Sequence, residues 1–365
     1  MVRVAGVDPG TGSMDVLVYD DDTGRILYEE AVPRARVTAD PSIVYSLVES
    51  LTLEYGLEAI TAPSGYGIPL KRAQLASTAE ICEATFVHCR DLEETHQIHG
   101  LRRLMLMFKD SDLPAYFTPG VIHLPSVPEY RKAGRIDIGT ADKVYTVAAA
   151  LAVLKSRGLK PRDVNAIVVE AGKAYTSAIL VEAGEIVDGI GGTMAWWGWT
   201  GHGFIDMETC YILSTLRPQM PKRYLFQGGA SHIAPESLQH RVASEAIAKT
   251  VAPLLAVGKP DYVVLSGRLF RGADSAVHAE MLNTLLSRLS SKPRTLLLEE
   301  ETPATVKAGA YGAAIIASGI AGGKHSDIIE ALRLWESRGS VFDHLTPWGV
   351  SGEARRYFSS CLRAG

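Results

Sequence analysis

Residues 4–13 read Val4-Ala5-Gly6-Val7-Asp8-Pro9-Gly10-Thr11-Gly12-Ser13, and the rest of the chain is organised around them. An apolar strand runs into a carboxylate and then into a glycine-rich turn, after which residues 14–19 form a second strand. The turn at residues 20–24 sends residues 25–32 back as a third strand. The sequence therefore predicts an opening meander of three antiparallel strands whose first turn is rich in glycine.

The first turn has the composition of a phosphate-binding loop. Gly10 and Gly12 carry no Cβ, so a ligand can approach their backbone closely, and phosphate oxygens suit backbone N–H groups. We predict that Gly10, Thr11, Gly12 and Ser13 contact the phosphate group of a ligand. Asp8 would face Mg²⁺ or its waters, since this hard cation prefers carboxylate oxygen. An ordinary hairpin with turn glycines would show the same local pattern, because short glycine motifs recur by chance.

The same pattern returns 162 positions later in the chain. Residues 166–173 again give an apolar strand, a carboxylate, one residue and a glycine, so that Glu170 corresponds to Asp8 and Gly172 to Gly10. A second strand, a tight turn and a third strand follow, as they do in the first half. An internal duplication with so long a period indicates two related domains rather than a solenoid.

This duplicated hairpin resembles the actin-like ATPase superfamily, which includes sugar kinases, acetate kinases and heat-shock chaperones. The resemblance implies that two glycine loops grip the phosphates of ATP from opposite sides of an interdomain cleft, with Mg²⁺ as the second cofactor. It assigns Gly172 and Lys173 to the second loop and adds Glu170 to Asp8 as metal-facing carboxylates. It also places the adenosine pocket at Ser266-Gly267-Arg268, although the superfamily has a second glycine where this chain has arginine.

The resemblance also implies an α/β fold with two ribonuclease H-like domains, each a mixed five-stranded sheet flanked by helices, and a nucleotide cleft between them. We assign residues 1–138 to the first domain, 139–339 to the second and 340–365 to a C-terminal tail. Apolar residues at helical spacing predict a helix over residues 140–155 between the domains. The glycine-punctuated segment 308–314 is expected to pack against it, because small residues permit a close helix crossing.

The middle of the first half is predicted to form the substrate side of that domain. Residues 71–86 and 92–108 have helical apolar spacing, and the run 113–128 is rich in proline and glycine. The loop 63–69 follows a predicted strand, which is where substrate loops lie in α/β folds.

The nearer resemblance is to acetate and butyrate kinases, and the match is closest to a prokaryotic family of uncharacterised proteins labelled predicted butyrate kinases. Gly139 and Thr140 match their phosphate-contacting stretch, but its histidine falls on Ile138. Their arginine that meets the transferred phosphate aligns with His202, and their catalytic aspartate has no counterpart near residues 117–120. The resemblance to these kinases therefore includes their nucleotide loops, but not the complete set of residues that they use for acyl-phosphate chemistry.

Two basic side chains remain candidates for the chemistry itself. His202 lies in a glycine-rich loop that follows three tryptophans, Trp196, Trp197 and Trp199. Such a loop forms an apolar wall with one titratable group, unless the tryptophans belong to the core and the histidine to the surface. Lys173 could neutralise phosphate charge as an arginine would, or be a solvated loop residue. The predicted catalytic set is Asp8, Glu170, Lys173 and His202.

Composition limits the range of functions. The 365 residues are 47% hydrophobic and 21% charged, which is ordinary for a globular protein with two cores. A net charge of −4 without a long basic run argues against a nucleic-acid surface. The chain enters a strand at once, so we expect no signal peptide, and no apolar run approaches the roughly 20 residues of a membrane span. The cysteines form no Cys-x-x-Cys pair, which favours thiols in a reducing cytoplasm over zinc, at Cys82, Cys89, Cys210 and Cys361.

These features together predict a cytoplasmic kinase that transfers a phosphoryl group from Mg-ATP to a small-molecule acceptor such as acetate or butyrate. No nucleic-acid or membrane partner is indicated, and a homodimer is compatible with the sequence. Two alternatives remain open. One is a regulatory ATPase that uses cleft closure as a switch. The other is a group transferase of the same superfamily, such as a carbamoyl transferase, which would need metal-binding histidines at ligand spacing.

Overall fold

The predicted glycine hairpin forms one side of the first sheet. The structure, a computed structural model, describes residues 2–87, 96–217, 221–272, 275–287 and 293–360. Within them the first sheet has the order β3-β2-β1-β4-β6-β5. Its strands are β1 (Arg3–Pro9), β2 (Ser13–Asp20), β3 (Arg25–Pro33), β4 (Ala59–Thr61), β5 (Lys71–Arg72) and β6 (Ala115–Phe117). Strands β1, β2 and β3 pair antiparallel, whereas β1, β4 and β6 run parallel.

The second sheet repeats this topology. Its order is β11-β10-β7-β8-β9, with β7, β8 and β9 antiparallel and β7, β10 and β11 parallel. Its strands are β7 (Ala166–Ala171), β8 (Thr176–Glu182), β9 (Glu185–Ile190), β10 (Tyr262–Ser266) and β11 (Arg294–Leu297). The duplication and the two mixed sheets are therefore confirmed. The first sheet differs from the expected five strands only by the short antiparallel edge strand β5.

Helices cover both sheets. They are α1 (Arg34–Ala39), α2 (Ser42–Tyr55), α3 (Thr78–Ala84), α4 (His96–Lys109), α5 (Glu129–Lys132), α6 (Ala141–Ser156), α7 (Met207–Leu216), α8 (Ala230–Ile233), α9 (Glu236–Val257), α10 (Ser275–Leu286), α11 (Leu298–Glu301), α12 (Ala308–Ile320), α13 (Ser326–Ala331) and α14 (Ser351–Ser360). Among the described residues, no helix combines the length and apolar composition that crossing a membrane requires.

One predicted helix is shorter than expected. Residues 71–86 divide into β5, a 3-10 turn at Ala73–Leu75 and α3. Helix α3 begins at a capping box, in which the Ser77 hydroxyl accepts from the Glu80 N–H and the Glu80 carboxylate accepts from the Ser77 N–H. This local start signal sets the beginning of the helix at Ser77 and outweighs the apolar spacing that precedes it.

Helices α6 and α12 cross at the centre of the molecule. A Cβ added to Gly312 of α12 would lie 1.8 Å from the carbonyl oxygen of Tyr145 and 3.0 Å from the N atom of Ala149, both in α6. A Cβ added to Gly6 of β1 would lie 2.4 Å from the carbonyl oxygen of Ala310 in α12. The predicted close crossing is confirmed, and the same helix also lies directly on the first sheet.

The segment after residue 339 packs on the first half of the chain. Phe342 is buried, and its ring lies 5.4 Å from that of Phe86, centroid to centroid. The buried Glu83 carboxylate accepts hydrogen bonds from Ser340 and from Ser359. The boundaries 1–138, 139–339 and 340–365 stay predictions. Two of the cysteines that we expected to be thiols, Cys82 and Cys210, form no disulfide, while Cys89 and Cys361 lie outside the described residues.

The helix crossing gives a test of the fold. Gly312→Ala should lower the free energy of unfolding by about 1–3 kcal/mol, because the added methyl group overlaps the α6 backbone. Gly352→Ala is the matched control, since this helical glycine is exposed and its nearest atom would lie 3.5 Å away. Urea unfolding monitored by circular dichroism measures both. Wild-type stability in Gly312→Ala would contradict the crossing.

Candidate active site

A cavity of about 450 Å³ lies between the two halves, where their glycine loops face each other. A Cβ on Gly12 would lie 3.5 Å from Cδ of Lys173, so the two loops are neighbours across this space. The cavity wall includes most of the residues that the sequence predicts for nucleotide binding, namely Gly10, Thr11, Gly12, Ser13, Glu170, Gly172, Lys173, Gly267 and Arg268. Sequence-distant segments thus meet at one place.

The glycine loops close on their own backbone. The N–H of Gly10 donates to the carbonyl oxygen of Asp8 at 3.1 Å, and the N–H of Gly172 donates to the carbonyl oxygen of Tyr175 at 2.9 Å. The Gly10 N–H, which we expected to be available to phosphate, thus has an acceptor within its own loop, and phosphate binding by this loop stays a prediction. Neither glycine has a side chain of its own to keep a ligand away from its Cα atom.

Asp8 does not line the cavity wall, because a lysine that the sequence analysis missed stands in front of it. The Lys307 ammonium lies 2.9 Å from Oδ2 of Asp8 and 3.5 Å from Oδ1 of Asp15. It also donates to the carbonyl oxygen of Ser13 at 3.2 Å. Asp8 is only 5% exposed, and Gly309 leaves room for its carboxylate, since a Cβ there would lie 2.8 Å from Oδ2.

The electrostatics of this pair follow from its burial. Desolvation raises the pKa of Asp8 to about 7, against the opposing attraction of Lys307. Burial alone would lower the pKa of Lys307, but the carboxylates of Asp8 and Asp15 outweigh it and raise that pKa. Both shifts describe one coupled ion pair at the base of the first loop.

The second half contains an equivalent pair. The Lys143 ammonium donates to Oε1 of Glu170 at 2.8 Å and to Oδ2 of Asp142 at 2.7 Å. The Thr146 hydroxyl donates to the other oxygen of Glu170 at 2.7 Å. Lys143 lies in the first turn of α6, as Lys307 lies at the start of α12, and the two lysines are 164 positions apart. Extending the sequence repeat from the strands into these helices would have found both lysines.

The predicted adenosine segment contributes two of its three residues. Gly267 requires its glycine, because its φ is +99° and a Cβ would lie 2.5 Å from the carbonyl oxygen of Ala171. The Ser266 hydroxyl does not line the cavity, since it donates to Oε1 of Glu299 at 2.8 Å. Arg268 lies in the wall beside Arg271, which the sequence analysis did not select.

The cavity wall also includes aromatic and polar residues from both halves. Tyr66, Tyr175 and Phe226 form its aromatic part. The carboxylate of Asp137 accepts at Oδ2 from the N–H and from the hydroxyl of Thr193, both at 2.9 Å. Tyr66 belongs to the predicted substrate loop 63–69, whereas Asp137 and Tyr175 carried no signal of their own in the sequence.

His202, predicted as catalytic, does not line this cavity. Its Nδ1 atom lies 2.8 Å from the carbonyl oxygen of Phe204, and its ring is 3.2 Å from the Cβ position of Gly228. The bridge between Gly201 and Gly228 holds the loop in that position. The preceding tryptophans are also absent from the wall, and Trp196 packs against Trp197 and Phe204 instead.

Basic side chains outnumber acidic ones in the described wall. Three acidic residues, Asp137, Asp142 and Glu170, face six basic ones, Arg34, Lys143, Lys173, Arg268, Arg271 and Lys307. Burial lowers the pKa of Arg34 to about 10, which leaves its guanidinium charged at neutral pH. The wall itself therefore has more positive than negative side chains, which suits an anionic ligand.

The carboxylates predicted to face a metal ion are already paired with lysines. Within the described ranges, no three histidine, cysteine, aspartate or glutamate side chains form a group that could hold a metal ion. Mg²⁺ does not need such a cage, because it usually keeps several waters and binds substrate phosphates with one or two carboxylates. Asp8 and Glu170 fit that arrangement, since both lie beside the glycine loops.

Comparisons with known proteins agree with this architecture. A family model described as "Protein of unknown function (DUF1464)" matches residues 6–347. A search of curated proteins found no match to the sequence. Solved structures with a similar fold include an acetate kinase from Porphyromonas gingivalis, with a TM-score of 0.59, 12% identity, and coverage of 88% of this chain and 100% of that one.

Two further solved structures are similar to this chain. A propionate kinase from Francisella tularensis has a TM-score of 0.57 and 14% identity, covering 86% of this chain and 98% of that one. An acetate kinase from Entamoeba histolytica has a TM-score of 0.53 and 12% identity, covering 82% and 96%. At such identities the likeness shows the fold alone, and it confirms the predicted two-domain actin-like ATPase fold.

The buried pair at Asp8 predicts a pH-dependent stability. The folded pKa of Asp8 is about 7 and lies above the ordinary value of 3.8, so the native state binds the proton more tightly. The contribution of Asp8 to the free energy of unfolding is therefore greatest below pH 4 and falls by up to about 4 kcal/mol as the pH rises to 7. Asp8→Asn should remove this component of the decline. Urea unfolding between pH 4 and 8 measures it, with the exposed Asp110→Asn as control, and identical slopes in wild type and Asp8→Asn would contradict the raised pKa of the buried Asp8.

Proposed function

We propose that this chain, which belongs to the family described as "Protein of unknown function (DUF1464)", is an ATP-dependent phosphotransferase that acts on a small acceptor. The observation that carries the proposal is the convergence of two duplicated glycine loops and a third glycine segment on one basic cavity. The similar fold of acetate and propionate kinases supports it at the level of architecture.

Two cavity glycines have no role in the protein's own packing. The nearest atom to a Cβ on Gly12 would be 3.5 Å away, and on Gly172 it would be 3.6 Å away, which are ordinary contact distances. Neither has a φ in the left-handed region, so other residues could occupy both positions without strain. A glycine that the fold does not require leaves space for a ligand. The triphosphate of ATP fits the space between Gly12 and Gly172, beside the Lys173 side chain.

Charge neutralisation would then be the main catalytic contribution of the protein. Phosphoryl transfer spreads negative charge over the oxygens of the transferred group, and fixed cations stabilise that charge. Lys173, Lys307 and Arg268 lie in the cavity wall and can supply it. Asp8 and Glu170 would lie beside the waters of a magnesium ion that the nucleotide phosphates carry.

A short-chain carboxylate such as acetate or butyrate is the acceptor that we propose. The aromatic part of the cavity wall supports it, because Tyr66, Tyr175 and Phe226 offer an apolar surface for an alkyl chain. The histidine and arginine of acetate kinases are replaced, since Ile138 stands at one position and His202 lies outside the cavity wall. These replacements are the observation that favours the second candidate function, a regulatory ATPase that couples cleft closure to another process.

Nucleotide binding gives the first test of the proposal. Millimolar Mg-ATP should raise the melting temperature by a few degrees, since a ligand that binds only the folded state stabilises it. Gly172→Val should melt like the wild type without nucleotide, because the site accommodates a Cβ, and should lose the shift because the side chain fills the phosphate position. The exposed Gly352→Val should keep the shift. No shift in the wild type with any nucleotide would contradict the proposal.

Acceptor choice gives the second test. Hydroxylamine should trap acyl hydroxamate when the wild type is incubated with Mg-ATP and acetate, propionate or butyrate. We expect KM to fall by up to about fourfold for each added methylene, the equivalent of about 0.8 kcal/mol of apolar burial. ATP hydrolysis without hydroxamate, at a rate that none of the acids changes, would favour the regulatory ATPase.

A further inference from the structure

Asp137 lies in the cavity wall, close to Tyr66 and Tyr175. It is 6% exposed, and its Oδ2 atom receives both hydrogen bonds from Thr193. Its other oxygen, Oδ1, is buried and has no hydrogen-bond partner in the described part of the chain. Gly191 makes room for that oxygen, since a Cβ on Gly191 would lie 1.9 Å from it. The missing side chain of Gly191 therefore leaves the space that this carboxyl group occupies.

An ionised oxygen without a donor is costly in such a place. Burial raises the pKa of Asp137, and the two hydrogen bonds from Thr193 oppose the rise. Two charged groups of α6 act on it in opposite directions, since Lys143 lowers the pKa and Asp142 raises it. The other titratable groups that face Asp137 are the phenols of Tyr66 and Tyr175, whose own pKa values are raised, mainly by burial. These surroundings favour the neutral carboxyl group.

A neutral carboxyl group with Oδ2 occupied by Thr193 carries its proton on Oδ1, and that proton lacks an acceptor in the described residues. A carboxylate is the strongest acceptor that a small organic ligand can offer, and it donates nothing itself. We propose that Asp137 is the acceptor-recognition residue of this cavity, and that its carboxyl group binds the carboxylate of a short-chain acid as a neutral hydrogen-bond donor. This inference rests on the proposed phosphotransferase function.

The reaction that follows needs no base. One oxygen of the bound carboxylate accepts the hydrogen bond from Asp137, and the other attacks the γ-phosphorus of ATP. An oxygen–phosphorus bond forms, the bond from the γ-phosphorus to the β–γ bridging oxygen breaks, and its electron pair leaves with ADP. The products are an acyl phosphate and ADP, and no proton is transferred. Asp137 keeps its proton throughout, so its role is recognition.

A hydroxyl acceptor would reverse the role of Asp137. The side chain would then have to be ionised, accept the hydroxyl proton at Oδ1 and act as a general base. The substitution Asp137→Asn separates the two roles, because an amide keeps a donor at the Oδ1 position and an acceptor facing Thr193, but cannot take a proton.

The experiment measures butyrate binding without turnover. Melting temperatures are recorded for the protein with Mg-ADP, with and without butyrate, between pH 5.5 and 8.5. In the wild type, butyrate should raise the melting temperature at low pH, and the increment should disappear as the pH rises through the pKa of Asp137. Asp137→Asn should keep the increment at every pH. Asp137→Ala should weaken butyrate binding about tenfold or more at low pH.

Thr193→Val refines the test, because it removes one hydrogen bond to Oδ2 and leaves the shape of the side chain. Since that bond lowers the pKa of Asp137, its loss should move the pH limit of butyrate binding upward. A structural role of Asp137 alone would move no pH limit.

The outcomes separate this inference from the proposed function. An absent Mg-ADP effect in the wild type overturns the proposed function and the inference with it. A normal Mg-ADP effect with no butyrate increment at any pH overturns the inference alone. An Asp137→Asn variant that loses butyrate binding as Asp137→Ala does also overturns it, as does wild-type binding that strengthens as the pH rises.

Discussion

The contact between α12 and β1 determines both the fold and the position of the charges. The Cβ position of Gly6 lies 2.4 Å from the N atom of Ala314, so any side chain at Gly6 would push the helix away from the sheet. With the helix seated, its first residues lie over the end of β1, and the Lys307 ammonium reaches the carboxylate of Asp8. A shift of the helix by one turn, about 5.4 Å, would break that contact. Packing and electrostatics therefore depend on the same small residues.

The duplication of the chain extends to the ion pairs. Helix α6 follows the first sheet in sequence, yet its Lys143 neutralises Glu170 of the second sheet. Helix α12 follows the second sheet, yet its Lys307 neutralises Asp8 of the first. In each case the cation comes from the helix that follows the other sheet in sequence, and the Lys307–Asp8 pair joins the two halves. A carboxylate that lost its lysine would be left buried and uncompensated, which typically costs about 3–5 kcal/mol. The two halves are consequently tied together at their glycine loops.

Local patterns in the sequence were sufficient for the strands, the repeat and the glycine loops, because each depends on residues that are close in the chain. The hairpin at Asp8 and its copy at Glu170 illustrate this. The lysine partners were missed because they start helices that lie far away in sequence. His202 was misplaced for a related reason: glycines and tryptophans predict a loop with an apolar side, but the direction of that loop is set by its bridge to Gly228. No local pattern in the sequence identified Asp137 as a site residue, since its burial depends on Gly191 of another segment.

The ion pairs also constrain how a nucleotide could bind under the proposed function. A triphosphate that enters between the glycine loops brings about four negative charges, and the ammonium groups of Lys307 and Lys143 are already engaged by carboxylates. The phosphates would have to share those lysines, which would leave Asp8 and Glu170 partly uncompensated. Two carboxylates in that state attract a divalent cation, since a hard metal ion takes oxygen ligands and restores the charge balance. Binding of nucleotide and of magnesium would therefore be coupled, because each relieves the electrostatic cost of the other.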